Sequence, residues 1–113
     1  MAVQIFKEKE MKTTLINLRT YRGPADYVLI DRRTVYGNHK YKMGEWSDSL
    51  GRKLTREDCV ALFRMEFETK MKTSAGYQMK IEQLHGKKLA CWCTPLACHG
   101  DVYVEYLEKG PWW

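Results

Sequence analysis

The chain has 113 residues, a 44 % apolar fraction, a 29 % charged fraction and a formal net charge of +5. That length fits one domain with a single modest core, and the composition is that of an ordinary soluble globular protein rather than a disordered or fibrous one. No run approaches the about 18 apolar residues that cross a bilayer, and Met1 to Lys12 lacks an apolar block followed by a small-residue cleavage site, so neither a membrane span nor a secretory signal is read. The expectation is a cytoplasmic protein with reduced cysteines, whose positive charge favours an anionic partner such as a nucleotide or nucleic acid.

Residues 1–12, with Lys7-Glu8-Lys9-Glu10, read as a charged lead-in. Thr13 to Leu18 is a β-type run, and Arg19 to Pro24 carries turn chemistry. Tyr27-Val28-Leu29-Ile30 is a continuous apolar run of the kind that is buried on both faces in parallel sheets. Arg32 to Lys53 lacks periodicity, which predicts a long functional loop. Its Tyr36, Tyr41 and Trp46 argue against simple disorder.

Thr55 opens a helix, with Asp58 three residues on as a capping-box partner. Val60, Phe63, Phe67 and Met71 recur at three- and four-residue spacing and define its apolar face; Cys59 beside them reads as core. Gly76 to Leu84 predicts a second helix with Met79 and Leu84 inward, stopped by Gly86. Lys88 to Cys93 predicts a third strand, with Trp92 turned into the core. Asp101 to Lys109 predicts a last helix, ended by Gly110-Pro111. The expected fold is α/β: a small Rossmann-like sandwich with a mostly parallel sheet of three to five strands and about three helices. Residues 13–109 form its single domain and residues 110–113 an aromatic tail.

Chemistry concentrates in Cys91-Trp92-Cys93-Thr94-Pro95-Leu96-Ala97-Cys98-His99-Gly100-Asp101, where three of four cysteines and one of three histidines fall within nine residues. The segment sits at a strand-to-helix turn, which offers backbone N–H groups and a positive helix end to an anion. Three readings stay open. Cys91, Cys93, Cys98 and His99 have the ligand chemistry of tetrahedral zinc, though not the spacing of two separated knuckles. Alternatively, Cys98 before a helix N-terminus is a candidate nucleophile, with His99 as proton carrier, Cys93 as a second thiol and Asp101 as orienting group or helix cap. In the third reading the cysteines simply pack the central strand.

Beside the turn, Arg32 and Arg33 are candidate phosphate ligands, Gly37 and Asn38 can bring backbone amides to a phosphate, and Gly100 and Cys93 complete the ligand set. Interleaved tyrosines and tryptophans could stack on bases. In a parallel sheet the loop and the turn meet at one edge and form one pocket. Asp101 is grouped with Cys98 and His99 as the catalytic set. Trp112 and Trp113 suggest a docking tail for a protein partner or a self-contact, and packing back on the domain fits them equally well.

The stretch Leu84-His85-Gly86-Lys87-Lys88-Leu89-Ala90-Cys91-Trp92-Cys93-Thr94-Pro95-Leu96-Ala97-Cys98-His99-Gly100-Asp101-Val102 closely resembles the signature of a small bacteriophage and bacterial family, domain of unknown function 4326. Its members run Leu-Arg-Gly-Lys-x-Leu-x-Cys-Trp-Cys-x-Pro-x-x-Cys-His-Gly-Asp. Val35-Tyr36-Gly37-Asn38-His39 resembles the family's Trp-Gly-Asn-Pro segment, with Tyr36 for Trp and His39 for Pro, and Thr55-Arg56-Glu57-Asp58 resembles its helix start. Asp31-Arg32-Arg33 stands where a Gly-rich run is common. The resemblance implies kinship with phage proteins and no defined activity. The functional expectation is a small protein that binds a nucleotide or another phosphate-bearing ligand at the Cys/His turn, as in nucleotide or nucleic-acid modification. The alternative is a non-enzymatic phage protein that binds a host factor, its turn purely structural with or without zinc.

Overall fold

The computed structural model describes residues 12–113; the charged lead-in read over residues 1–12 lies outside them except for Lys12. In chain order the elements are β1 (Thr14–Asn17), β2 (Val28–Leu29), β3 (Trp46–Ser47), β4 (Arg52–Lys53), α1 (Arg56–Thr73), α2 (Ala75–Glu82), β5 (Lys88–Cys91) and α3 (Gly100–Lys109). The protein is thus mixed α/β. A three-stranded parallel sheet has the order β1-β5-β2, and β3 and β4 form a separate antiparallel pair.

β5 is the central strand although it is the last strand in chain order. Leu89 and Ala90 are fully buried and Cys91 nearly so, as a continuous apolar run flanked by strands requires. Leu15 pairs with Leu89 on one side and Val28 with Leu89 on the other. The strand ends at Cys91, two residues earlier than the alternation predicts. Trp92 therefore does not enter the core. It is 45 % exposed, with its indole N–H donated to Asp31 Oδ2 at 3.0 Å.

Helix α1 begins with the expected capping box: Thr55 Oγ1 accepts the Asp58 N–H and the Asp58 carboxylate accepts the Thr55 N–H. Its buried positions are Cys59, Phe63, Phe67 and Met71, a strict four-residue repeat that puts Cys59 rather than Val60 at the head of the apolar face. In α2 the inward residue is Ile81, which is fully buried, with Leu84 just beyond the helix; Met79 is 64 % exposed, contrary to expectation. Gly86 takes φ +77° after α2, the left-handed backbone that glycine accommodates best.

Helix α3 closes over the sheet. A Cβ at Gly100 would stand 2.6 Å from Leu15 Cδ2 and 2.8 Å from Ile30 Cδ1, so only glycine lets this helix start so close to β1 and to the end of β2. The C-terminal tail packs back on the domain. Trp112 stacks near Phe67 with the Arg64 guanidinium 3.8 Å from its ring centre, and Trp113 stacks on Tyr106 with an interplanar angle of 4°.

Candidate functional site

The carboxyl ends of β2 and β5 open into a cleft of about 490 Å3, the edge at which open parallel sheets hold ligands. Three walls enclose it. The first is the loop after β2, carrying Asp31, Arg32, Arg33, Asn38, Tyr41 and Met43. The second is the first turn of α1, carrying Arg56, Cys59 and Val60. The third is the turn after β5, from Cys91 to His99. The loop and the cysteine turn therefore share one pocket, as a parallel sheet requires.

Short-range chemistry holds each wall in place. Asn17, at the end of β1, donates its Nδ2 to the Thr94 carbonyl at 2.8 Å and anchors the cysteine turn, in which the Thr94–Pro95 peptide is cis. Asn38 accepts the Tyr41 N–H on Oδ1 and reaches the Cys59 carbonyl with Nδ2, tying the loop to α1. Its own carbonyl accepts Arg32 Nε at 3.2 Å. Arg56 donates to the Ala97 carbonyl at 3.3 Å, joining α1 to the cysteine turn. Asp31 bridges the remaining pair: it accepts both Arg33 and the Trp92 indole. The Arg33 guanidinium is the main cause that holds the Asp31 carboxyl down at about 2.

The arginines of the cleft thus divide into two kinds. Arg33 is spent on Asp31. Arg32 and Arg56 meet only backbone carbonyls among the described residues, and neither has a carboxylate partner there. Their positive charge is available to an anion in the cleft.

The sulfur atoms form the floor. Cys91 and Cys98 are each 2 % exposed, and Cys93 is half-buried. Cys91 and Cys98 titrate as one buried pair: the Cys98 thiol is the main cause that lowers Cys91, against burial, and Cys91 together with burial raises Cys98. The Gly100 N–H donates to Cys98 Sγ at 3.4 Å. Cys59 is raised, first by burial.

His99 packs edge-on between Phe63 and Tyr103. Its Nε2 lies 2.6 Å from the Ile30 carbonyl, which can only accept, so Nε2 carries the proton. Nδ1 is then an acceptor and faces Cys98 Sγ at 3.6 Å. Burial, the largest influence, lowers the imidazole pKa and keeps the ring neutral.

Seven of the residues singled out in the sequence meet in this cleft: Arg32, Arg33, Asn38, Cys91, Cys93, Cys98 and His99. Three do not line it. A Cβ on Gly37 would fall 2.4 Å from the Asp31 carbonyl oxygen, so this glycine permits the tight loop. Gly100 serves helix–sheet contact. Asp101 is exposed, and its carboxylate accepts the Cys98 N–H at 3.0 Å; the N-cap residue is His99, without a side-chain cap. Among the described residues no three His, Cys, Asp or Glu side chains gather around one point that could hold a metal ion; His99 turns one nitrogen to the Ile30 carbonyl and the other to Cys98. Sequence reasoning missed Arg56 and the Cys59–Val60 face, which looked like helix start and core. Arg56 at the first helical position, three residues before the buried face of α1, was the available signal.

The family described as a domain of unknown function (DUF4326) matches residues 15–109. The chain is also 30 % identical over 89 residues to an uncharacterized 12.4 kDa protein encoded in the nrdA-td intergenic region of Enterobacteria phage T4, an alignment that covers 79 % of this chain and 73 % of the phage protein. No solved structure matches it.

Proposed function

From the premise that this chain belongs to the DUF4326 family, we propose that the cleft binds a nucleotide or a similar phosphate-bearing ligand. The observation that carries the reading is the pair Arg32 and Arg56, on opposite walls and without carboxylate partners among the described residues. Guanidinium groups placed this way suit phosphate oxygens, which they can bind in bidentate fashion. Tyr41 and Trp92 line the same space, and a base stacked on such a ring gains about 1–3 kcal/mol. A volume of about 490 Å3 is in the range of small-molecule sites.

The parallel order β1-β5-β2, with the cleft at its carboxyl edge, supports reading the fold as a reduced Rossmann-like sandwich. The four free cysteines fit a reducing compartment such as the host cytoplasm. A reaction on the ligand, as in nucleotide or nucleic-acid modification, would take place over Cys91, Cys93, Cys98 and His99.

The test is a thermal-shift and calorimetric panel of nucleoside mono-, di- and triphosphates with inorganic phosphate and nucleosides as controls. At least one nucleotide is expected to raise the melting temperature and bind, and Arg32→Ala and Arg56→Ala are each expected to weaken it by about tenfold or more, as loss of a charge-assisted hydrogen bond of about 1.5–3 kcal/mol requires. Absence of binding by the whole panel, or affinity unchanged in both variants, overturns the reading.

A further inference from the structure

The seven arginines of the chain fall into two sets. Arg33, Arg52 and Arg64 each pair with a carboxylate, of Asp31, Asp58 and Glu105 respectively. Arg19, Arg22, Arg32 and Arg56 have no such partner among the described residues, and the guanidinium bonds that Arg22, Arg32 and Arg56 make go to backbone carbonyls. All four stand at the carboxyl edge of the parallel sheet. Arg19 and Arg22 lie in the loop that leaves β1, Arg32 in the loop that leaves β2, and Arg56 against the turn that leaves β5. Arg19 and Arg22 are exposed and do not line the cleft, so a nucleotide held there leaves both free.

The two positive groups flank a tryptophan. In the order β1-β5-β2 the ends of β1 and β2 stand two strand spacings apart, about 10 Å, with the end of β5 between them. Asn17 fixes the β1 side: its Oδ1 accepts the Arg19 N–H at 2.9 Å and its Nδ2 donates to the Trp92 carbonyl at 3.4 Å. Arg22 folds back on the same loop, with Nη1 3.1 Å from the Arg19 carbonyl. On the β2 side Asp31 Oδ2 accepts the Trp92 indole N–H. The ring therefore reaches from the end of β5 to that of β2, lines the cleft and still leaves 45 % of the residue exposed. Asp31, the carboxylate bonded to the ring, is neutralised by Arg33. Cations that follow a backbone, interleaved with aromatic rings on which bases stack, are the parts from which single-strand binding surfaces are made.

We propose that the ligand of the cleft is one nucleotide of a single-stranded nucleic acid, whose chain runs on from the cleft over Trp92 to Arg19 and Arg22. This rests on the phosphate reading for the nucleotide in the cleft. Arg32 and Arg56, on opposite walls, take the phosphates on either side of that nucleotide. Trp92 takes a base on its exposed face, and Arg19 and Arg22 take the phosphates beyond it. A duplex does not suit this path, because its bases are paired and stacked on one another and none is free to enter the cleft or cover the indole.

The test measures binding of a labelled single strand of about ten nucleotides, once as oligothymidylate and once as oligouridylate, against the matching nucleoside monophosphate and a duplex of equal length. The two strands share the phosphodiester chain, and the tighter one assigns the ligand to DNA or RNA, since only RNA carries the 2′-hydroxyl. The single strand is expected to bind about tenfold or more tightly than its monophosphate and than the duplex. With one phosphate per arginine, log affinity should fall with log salt concentration at a slope of about −2.8, and at about −1.4 in Arg19→Ala/Arg22→Ala. The same double variant should bring the affinity ratio of strand to monophosphate close to one. Trp92→Leu should weaken the strand about tenfold, and Trp92→Phe, which keeps a ring, should recover most of that loss.

A monophosphate that binds through Arg32 and Arg56 while the strand gains nothing over it overturns this inference and leaves the nucleotide reading standing. If neither binds, both fall. A duplex held as tightly as the strand, or a salt slope unchanged in Arg19→Ala/Arg22→Ala, reduces the effect to the attraction of a protein of charge +5 for any polyanion and also overturns it.

Discussion

His99 shows how one side chain can link the fold to the site. Its ring fills the space between Phe63 and Tyr103, one nitrogen holds the end of β2 through Ile30, and the other faces Cys98. Because burial lowers its pKa below the ordinary value of 6.5, the unfolded chain binds a proton at this position before the folded one does. Between the lowered value and 6.5 the unfolded state carries more protons, so stability rises with pH there. The stabilisation is complete above about pH 6.5 and is lost as pH falls toward the folded-state value. Urea unfolding between pH 7.5 and 5.5 should therefore show midpoints that decline toward acid, and His99→Gln should flatten that slope. A slope identical in both proteins would mean that His99 is solvated. The sequence flagged His99 through its company of cysteines. It could not show that the imidazole is enclosed, because the enclosing rings come from α1 and α3. Trp92 was misread for a related reason: period-two alternation predicts its direction only while the strand lasts, and β5 stops at Cys91.

Helix α1 is the element whose start the sequence specified best. The capping box needs only local chemistry, Thr55 and Asp58 three residues apart, and it forms as read. Arg52 adds a bidentate ion pair to Asp58 from the β3–β4 hairpin. This end of the helix is also a wall of the cleft, so the cap that fixes the backbone of residues 55–58 also fixes where Arg56 and Cys59 stand. Thr55→Ala removes one of the two reciprocal bonds and should cost about 0.5–2 kcal/mol. In denaturant melts this should appear as a lower midpoint with the slope preserved; an unchanged midpoint would show that Arg52 and Asp58 hold the turn without the threonine. The hairpin itself was not legible. Each of its strands has only two residues, too few for alternation to register, and its turn around Gly51 stood out only as part of a loop. Likewise, no local pattern distinguishes Ile81 from Met79 as the inward residue of a two-turn helix; the partner surface on α1 and α3 decides it.

Over the whole molecule, the arrangement separates a chemical end from a packing end. The cleft lies at the carboxyl edge of the sheet, near the first turn of α1. Two turns further along that helix, Phe67 is 1 % exposed and is covered by Trp112 and Trp113. The parallel class of the sheet, the meeting of loop and cysteine turn at one edge and the three helices were all readable, because continuous apolar runs and capping residues are local signals with global consequences. The tail was not, since two terminal tryptophans read equally well as a docking arm or as core. The structure gives them intramolecular partners: Arg64 lies over Trp112 while pairing with Glu105 of α3, and Trp113 stacks on Tyr106 of the same helix. The tail thus clamps α1 to α3. Deleting Trp112 and Trp113 uncovers Phe67 and Tyr106 and removes one cation–π contact, which together should cost about 2–4 kcal/mol. The loss should appear in denaturant melts and in greater exposure of apolar surface to a fluorescent dye. Because the cleft shares no residue with this clamp, the truncated protein should keep its nucleotide affinity at temperatures where it remains folded. Full stability after truncation would instead make the two indoles a free arm, returning them to the role of a contact surface for another protein.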